Sequence, residues 1–174
     1  IIKQAAHIFQ FKVLNGDIMK LVKTDDASYL QQFLHQQPVV LNQNTLIKRD
    51  SVVYAGDEKL HLYVQVNPTT YKVFKSSYND DGVEVDNVYY DNIVNVNIYR
   101  GASRIFGRDF RKEDFDGQVP HEFLKQAILS DIVLKKVDTD GLHYRVVLAM
   151  PDSSMSYQVE IIISLEGKMT IKKS

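Results

Sequence analysis

The sequence contains no cysteine, and it has no long apolar run. Without a thiol, the chain cannot itself supply thiol catalysis, a zinc–thiolate site or an iron–sulfur cluster. The cellular compartment stays open, because many secreted domains of this size need no disulfide. No apolar stretch reaches the roughly 18 residues that a transmembrane helix needs, so no transmembrane segment is predicted in this chain.

An excess of either charge is also missing, since the formal net charge is −1 and the sequence pI is about 6.6. A protein that follows nucleic acid usually carries a basic excess or stripe. The basic residues between positions 100 and 112 are offset locally by Asp109, Glu113 and Asp114. Nucleic acid is therefore not expected as a partner.

The composition is that of a globular protein, with 44% hydrophobic and 25% charged residues. We expect a single domain over residues 1–174, with a less regular N-terminal segment at 1–45 and a β-rich core at 46–174. The chain starts at Ile1 rather than Met. That start favours a processed or trimmed piece, whose signal peptide or lipid anchor would lie upstream.

The clearest pattern lies in the last third of the chain, where apolar residues alternate almost strictly with other residues. The alternating positions are Leu142, Tyr144, Val146, Leu148 and Met150, followed by Met155, Tyr157, Val159, Ile161, Ile163 and Leu165. A period of two places these side chains on one face of a sheet. Residues 132–173 therefore predict three β-strands in a row, with hairpin turns at 138–141, 151–154 and 166–168.

Earlier segments show the same alternation. The predicted strands are 46–54, 60–66, 71–78, 92–100 and 104–110, with breaks at Pro68, at 79–82 and at 101–102. Pro120 suits the first position of a helix over 120–130, and a short helix is also expected over 27–37, before Pro38. The predicted fold is mainly β (α+β). It is an antiparallel sandwich or open barrel of about eight to ten strands, with the helix near 120–130 packed on it.

Two stretches of the predicted sheet look alike when they are offset by 32 residues. The offset aligns Leu62 with Val94 and Phe74 with Phe106. One interpretation is a repeated supersecondary unit. The other, which we favour, is that strands of one sheet share an alternation pattern and match for that reason alone.

The histidines form no recognisable catalytic or metal motif. His121-Glu122 begins like a zinc-protease helix, but Lys125 stands where the second histidine would be needed. His61 and His143 lie on the more polar faces of predicted strands and could converge. We expect them instead to be scattered surface residues.

Two acidic patches raise the question of calcium, which takes several converging oxygen ligands. The first comprises Asp80, Asp81, Glu84 and Asp86, with Asp91 nearby, and the second comprises Asp138 and Asp140. Neither has the EF-hand spacing, and aspartates are common in hairpin turns for backbone reasons. Metal binding is therefore not expected at either patch.

No other chemistry is specified by a motif. The sequence has neither a Gly-x-Ser-x-Gly elbow nor a glycine-rich phosphate loop. We therefore assign no catalytic, cofactor-binding or metal-ligating residue. Several tyrosines fall in or beside predicted strands: Tyr54, Tyr63, Tyr89, Tyr90 and Tyr99. Aromatic rows on a sheet can bind carbohydrate, peptide or another sheet, but ordinary cross-strand packing is the interpretation we favour.

Several strings in the second half of the chain resemble one family. They are Phe110-Arg111-Lys112-Glu113-Asp114-Phe115, Phe123-Leu124-Lys125-Gln126 after Pro120, Lys136-Val137-Asp138-Thr139-Asp140-Gly141, and Pro151-Asp152. They resemble a family of uncharacterised, secreted lipoprotein-like domains of Bacteroidetes. The resemblance covers the C-terminal half only and carries no catalytic motif. It implies an extracytoplasmic location, in the periplasm or on the cell surface, with a lipidated cysteine upstream.

Three functions are consistent with these observations. The first is a non-enzymatic binding or structural module of the bacterial cell envelope, with an unidentified protein or glycan partner and no cofactor. The second is a lipocalin-like carrier of a small apolar ligand, which requires an enclosed cavity. The third is a hydrolase with a site assembled from distant residues, which requires His61 or His143 beside a carboxylate in a cleft. We expect the first, and therefore no enzymatic activity.

Overall fold

A computed structural model of the chain describes residues 3–5, 8–12, 18–22 and 45–172, the first three ranges by their backbone alone. The chain divides into two compact units, Ile1–Gln37 and Pro38–Ser174. This division lies close to the predicted change from the irregular segment at 1–45 to the β-rich core. The single domain over 1–174 stays a prediction.

The first unit contains a small antiparallel sheet. Its strands are β1 (Lys3–Ala5), β2 (Ile8–Lys12) and β3 (Ile18–Val22), in the order β1-β2-β3. The helix predicted over 27–37 lies outside the described residues.

The second unit contains two four-stranded antiparallel sheets. The first sheet consists of β4 (Ile47–Ala55), β5 (Glu58–Tyr78), β6 (Glu84–Arg100) and β7 (Ser103–Phe110), in that order. The second sheet consists of β8 (Ile128–Asp138), β9 (Gly141–Ala149), β10 (Ser156–Ile163) and β11 (Met169–Lys172), and its order is β11-β10-β9-β8. Within each sheet, every strand thus pairs with its neighbours in sequence. The segment predicted to hold three strands holds four.

The two sheets pack face to face and form one apolar core. The first sheet contributes Leu60, Leu62, Val64, Val66, Val94, Val96 and Ile98, and the second contributes Leu142, Tyr144, Val146, Leu148, Val159, Ile161 and Ile163. All of these side chains are buried. Since the sheets share no strand, the architecture is the predicted antiparallel sandwich.

The helix of the second unit is shorter than predicted. It spans His121–Gln126, here called α1, and a short 3₁₀ helix at Lys112–Phe115 precedes it. Ala127 is already extended, and Ile128 begins β8. Leu129 is wholly buried in the core, and Ile128 is wholly buried against Val73 and Ala149. These contacts favour a strand where the sequence predicted the end of a helix. Among the described residues, no helix is both long and apolar enough to cross a membrane.

Pro68 does not separate two strands, as the sequence predicted, but lies inside β5. Pro68 pairs with Asn92, and the next pair along the ladder is Lys72 with Tyr90, so three residues of β5 lie opposite Asp91 alone. Such a bulge bends the sheet and changes which residues face the core. The proline is tolerated because β4 pairs with β5 only as far as Val66, so that at Pro68 no described strand pairs with that edge of β5.

Beyond this bulge, β5 and β6 continue as a two-stranded ribbon. Residues 72–78 pair with residues 84–90, whereas β7 pairs with β6 only from Val94 onward. We call this ribbon the arm. The arm also decides between the two interpretations of the 32-residue offset. Residues 62–78 form one continuous strand, whereas the matching residues 94–110 form a strand, a turn and a second strand. The repeated-unit interpretation is wrong, and shared alternation accounts for the matches.

The start of β9 depends on a glycine. Gly141 has a φ of +129°, and a Cβ atom there would lie 2.2 Å from the carbonyl oxygen of Ile163. Gly82 also has a positive φ, +74°, but a Cβ atom there would meet no atom within 4 Å. The two glycines thus share a conformation that side chains disfavour and differ in the space around them.

We predict that Gly141→Ala destabilises the protein more than Gly82→Ala does. The positive φ costs roughly 1–2 kcal/mol in both variants. The contact with the β10–β11 backbone adds about 1–3 kcal/mol in Gly141→Ala only. Chemical denaturation of both variants measures the difference, and equal midpoints would contradict the packing argument.

Candidate functional site

The outer face of the first sheet, opposite the core, carries side chains that strand register brings into contact. The even-numbered residues from 60 to 66 of β5 are buried, so the odd-numbered residues between them face outward. His61 pairs with Tyr99 and Tyr63 pairs with Asn97. On β7, Gly107 stands opposite Asn97. Two aromatic rings, an imidazole and an amide therefore share one patch.

These residues line an open groove of about 430 Å³, which we call the tyrosine–amide groove. Its lining residues are His61, Tyr63, Asn97, Tyr99 and Gly101. The rings of Tyr63 and Tyr99 lie edge to face, with centroids 5.7 Å apart and planes at 85°. Tyr63 is 40% exposed, so part of its ring remains available to a ligand.

The lack of a side chain at Gly107 makes room for the amide of the groove. A Cβ atom at Gly107 would lie 2.7 Å from Asn97 Oδ1 and 3.1 Å from the Arg104 side chain. Both contacts are with side-chain atoms, Oδ1 of Asn97 and Cδ and Nε of Arg104, and not with backbone. Asn97 and Arg104 therefore occupy the space above Gly107, on the outer surface of β7.

A row of hydrogen-bonded amides continues from the groove along the sheet. Asn97 Nδ2 donates to Asn95 Oδ1. Asn95 Nδ2 in turn donates to Asp109 Oδ1 at 2.7 Å, and on β5 Gln65 Nε2 donates to Asn67 Oδ1 at 2.6 Å. These bonds hold the amides in fixed orientations. The groove is thus suited to a neutral ligand that offers both hydroxyl groups and an apolar face.

A second cluster surrounds His143 on the second sheet. The side chain is only 3% exposed, and its two ring nitrogens lie 3.0 Å from Glu160 Oε1 and 2.8 Å from Asp138 Oδ1. The prediction of a scattered surface histidine is therefore wrong for His143. The alternation in β9 predicted His143 on the polar face of the sheet, but the side chains of Asp138 from β8 and Glu160 from β10 contact its ring and bury it.

The charges in this His143 cluster lower the pKa values of its carboxyls. The Lys136 ammonium, 2.7 Å from Asp138 Oδ2, is the main cause for Asp138, and the hydrogen bond from His143 adds to it. For Glu160, the hydrogen bond from His143 is the main cause of the lowered pKa. Because each ring nitrogen already contacts a carboxylate oxygen, neither is available as a base for a bound substrate.

A family model described as a domain of unknown function, DUF4738, matches residues 26–171 of the chain. The chain belongs to this family. The sequence resemblance covered the C-terminal half only, whereas this match covers most of the chain. The match confirms that the domain has no assigned function. A search of curated proteins found no match.

The second acidic patch of this DUF4738 domain does come together with a histidine. Potential ligand atoms of Asp138, Asp140 and His143 lie within 4.8 Å of one another. A metal ion there would have to replace the bond between His143 and Asp138 and compete with the ammonium of Lys136. In the part of the chain that the structure describes, the first patch forms no comparable group. Its Asp86 accepts a hydrogen bond from Ser76 instead.

Asp91, which the sequence placed near the first patch, has a different role. It is 6% exposed, and its Oδ1 accepts the backbone N–H groups of Asn92 and Leu129, both at 2.8 Å. The Asn92 amide donates to the Leu129 carbonyl at 3.0 Å, so two side chains of β6 hold the start of β8. Burial raises the pKa of Asp91. Alternation alone could not show this, because the bulge opposite Asp91 changes which residues face inward.

Of the other residues singled out from the sequence, only His61 belongs to the groove among the described residues. His61 lines the groove, whereas His143 belongs to the other sheet, so the two histidines do not form a site. His121 is exposed and lies 3.4 Å from Asp116. The Tyr89 hydroxyl donates to Asp152, which raises the pKa of Tyr89 to about 12. Tyr54 is 63% exposed.

We predict that stability falls in acid because of the His143 cluster. The folded-state pKa values of Asp138 and Glu160 are lowered, so their contribution is present above the ordinary carboxyl range of about 4 and is lost as the pH falls below it. His143→Gln removes the main cause of the shift at Glu160. The loss of stability between neutral and acidic pH should therefore be smaller in this variant.

Denaturation midpoints measured across that pH range test the prediction. His61→Gln is the matched control, because His61 lies on the first sheet and should leave the pH profile unchanged. Identical acid profiles for His143→Gln and the unmodified protein would contradict it.

Proposed function

We propose that this domain is a non-enzymatic binding module of the bacterial cell envelope and that it binds a glycan in the tyrosine–amide groove. The observation that carries the proposal is the pairing of two tyrosine rings with an oriented amide on one exposed sheet face. Aromatic rings pack against the apolar faces of sugar rings, and amides bind sugar hydroxyls as both donors and acceptors. Protein partners, the other class expected from the sequence, usually bury about 800 Å² on each side, which is much larger than this groove.

The chemistry of the groove favours binding over hydrolysis. Glycosidases use two carboxyl groups on either side of the scissile bond, and the described residues that line the groove include no carboxylate. Of the two histidines that the hydrolase hypothesis names, His143 does lie beside carboxylates, but both of its ring nitrogens are engaged by them. It therefore lacks the free nitrogen that a serine hydrolase needs.

The packing between the sheets favours a surface site over an internal one. The space that a lipocalin-like carrier would leave open is filled by large side chains such as Tyr144, Phe110 and Phe115, all wholly buried. The tyrosine–amide groove opens on the opposite face of the first sheet. A small apolar ligand would thus find no comparable space among the described core residues.

The envelope part of the proposal rests on the resemblance of the C-terminal strings to secreted lipoprotein-like domains. An upstream lipid anchor would hold the domain at a membrane surface, where glycans are abundant. The absence of cysteine and the near-neutral charge are compatible with that location.

Binding to soluble neutral polysaccharides tests the glycan proposal. A panel of α-glucan, β-glucan, mannan and xylan can be screened by affinity electrophoresis and followed by calorimetry. We expect at least one to bind, and Tyr63→Ala and Tyr99→Ala each to weaken binding about tenfold, which corresponds to about 1.4 kcal/mol. Gly107→Ala should also weaken binding while the protein stays folded, because the added methyl displaces only the side chains of Asn97 and Arg104.

Tyr78→Ala is the matched control, because this tyrosine is 74% exposed but lies at the end of the arm. Its affinity should equal that of the unmodified protein. Failure of the whole panel to bind, or binding that neither Tyr63→Ala nor Tyr99→Ala weakens, would rule the groove out as a glycan site.

Fractionation of the source bacterium tests the location. We expect an antibody to detect the native full-length protein in the envelope fraction and protease added to spheroplasts to degrade it. Recovery in the cytosol, protected from protease, would contradict the envelope proposal and leave the glycan measurement unaffected.

A further inference from the structure

The arm presents one apolar face that no described residue covers. Its exposed aromatic and β-branched residues on that face are Phe74 (53% exposed), Tyr78 (74%), Val88 (45%) and Tyr90 (37%). Strand register aligns them, since Phe74 pairs with Val88 and Lys72 pairs with Tyr90. Exposed apolar residues grouped in this way usually mark an interaction surface.

The opposite face of the arm is fixed to the sandwich. Val73 is buried together with Ile128 and Ala149. The Lys75 ammonium donates to the Pro151 carbonyl at 2.6 Å, and Tyr89 donates to Asp152. The arm therefore keeps a fixed orientation, and its apolar face points away from the domain that holds it.

Charge is distributed unevenly along this face. Lys72 lies at the end nearest the sandwich, whereas Asp86 and Glu84 lie toward the tip. Neither Lys72 nor Glu84 has an ion-pair partner within residues 45–172. Each half of the face thus carries a charge that is complementary to the other half, with Phe74 and Val88 between them.

We propose that two copies of this chain associate through their arms, packed face to face and antiparallel about a two-fold axis. This arrangement places Phe74 and Val88 of one copy on those of the other. It also places Lys72 of each copy next to Asp86 of its partner copy. In a two-fold interface the same patch of both copies is in contact, so the patch must be complementary to itself. The arm is, because one half of its face carries a positive charge and the other half carries negative charges. The inference is independent of the groove.

The size of the face sets the strength of the association. Seven residues of extended chain span about 24 Å, and two strands are only about 10 Å wide. Such a face buries less than the roughly 1,200–2,000 Å² of a stable interface. We therefore expect a weak dimer whose population rises with concentration, an effect that tethering at a membrane surface would strengthen.

Sedimentation equilibrium over a range of concentrations tests the association. We expect a monomer–dimer equilibrium that Phe74→Ser weakens at least about tenfold. Tyr54→Ser is the matched control, because Tyr54 is 63% exposed but lies on β4, and it should leave the equilibrium unchanged. A monomer at every concentration, or a dimer that Phe74→Ser does not weaken, would overturn the proposal.

A charge exchange tests the antiparallel arrangement. Lys72→Glu and Asp86→Lys should each weaken the dimer, and the double variant should restore it, because the exchanged charges again face each other. In addition, Val88→Cys introduces the only cysteine of the chain. A short bis-maleimide cross-linker should join it to its counterpart in the partner copy, since face-to-face sheets lie about 10 Å apart, too far for a direct disulfide. Additive weakening in the double variant, or no cross-linked dimer, would overturn the antiparallel packing.

Discussion

The contact between the two apolar sheet faces is the interaction on which the rest of this domain depends. Val64 of β5 and Val146 of β9 are both buried in it, as are their neighbours two positions away. Because side chains alternate, burial of one face sets the other face toward solvent. The outward positions of Tyr63 and Asn97 therefore follow from the burial of Val64 and Val96. The groove is a consequence of how the core is packed.

The bulge after Pro68 changes this alternation and separates the tyrosine–amide groove from the arm. Before it, the odd-numbered residues of β5 face outward, and after it the even-numbered residues do. Because the alternation changes here, the side chains of Asp91 and Asn92 both face inward, where they form hydrogen bonds with the backbone of Leu129 at the start of β8. The same bulge frees the arm from β4 and β7. One local irregularity thus accounts for both the joint between the sheets and the exposed apolar face.

The strands could be predicted from the sequence because their signal is local. The alternation from Leu142 to Met150 predicts β9, and the short turns predict antiparallel neighbours, as found. What the sequence did not show depends on distant contacts. The continuation of β5 through Pro68 depends on which edge β4 leaves free, and the early end of α1 depends on the burial of Ile128. The burial of His143 depends on Asp138 and Glu160, which lie against its ring. The role of Tyr63 in the groove depends on its contact with Tyr99, a residue of the neighbouring strand.

The order of the strands has a consequence for synthesis of the chain. The first sheet ends at Phe110 before any strand of the second sheet, which begins at Ile128, has been made. Each sheet is built from consecutive hairpins, so its contacts are local and can form early. Synthesis adds roughly 5–20 residues per second, however, so the inner face of the first sheet stays exposed for several seconds before the second sheet can pack on it. A nascent chain of this length exposes an apolar surface to which a chaperone can bind until β9 and β10 arrive.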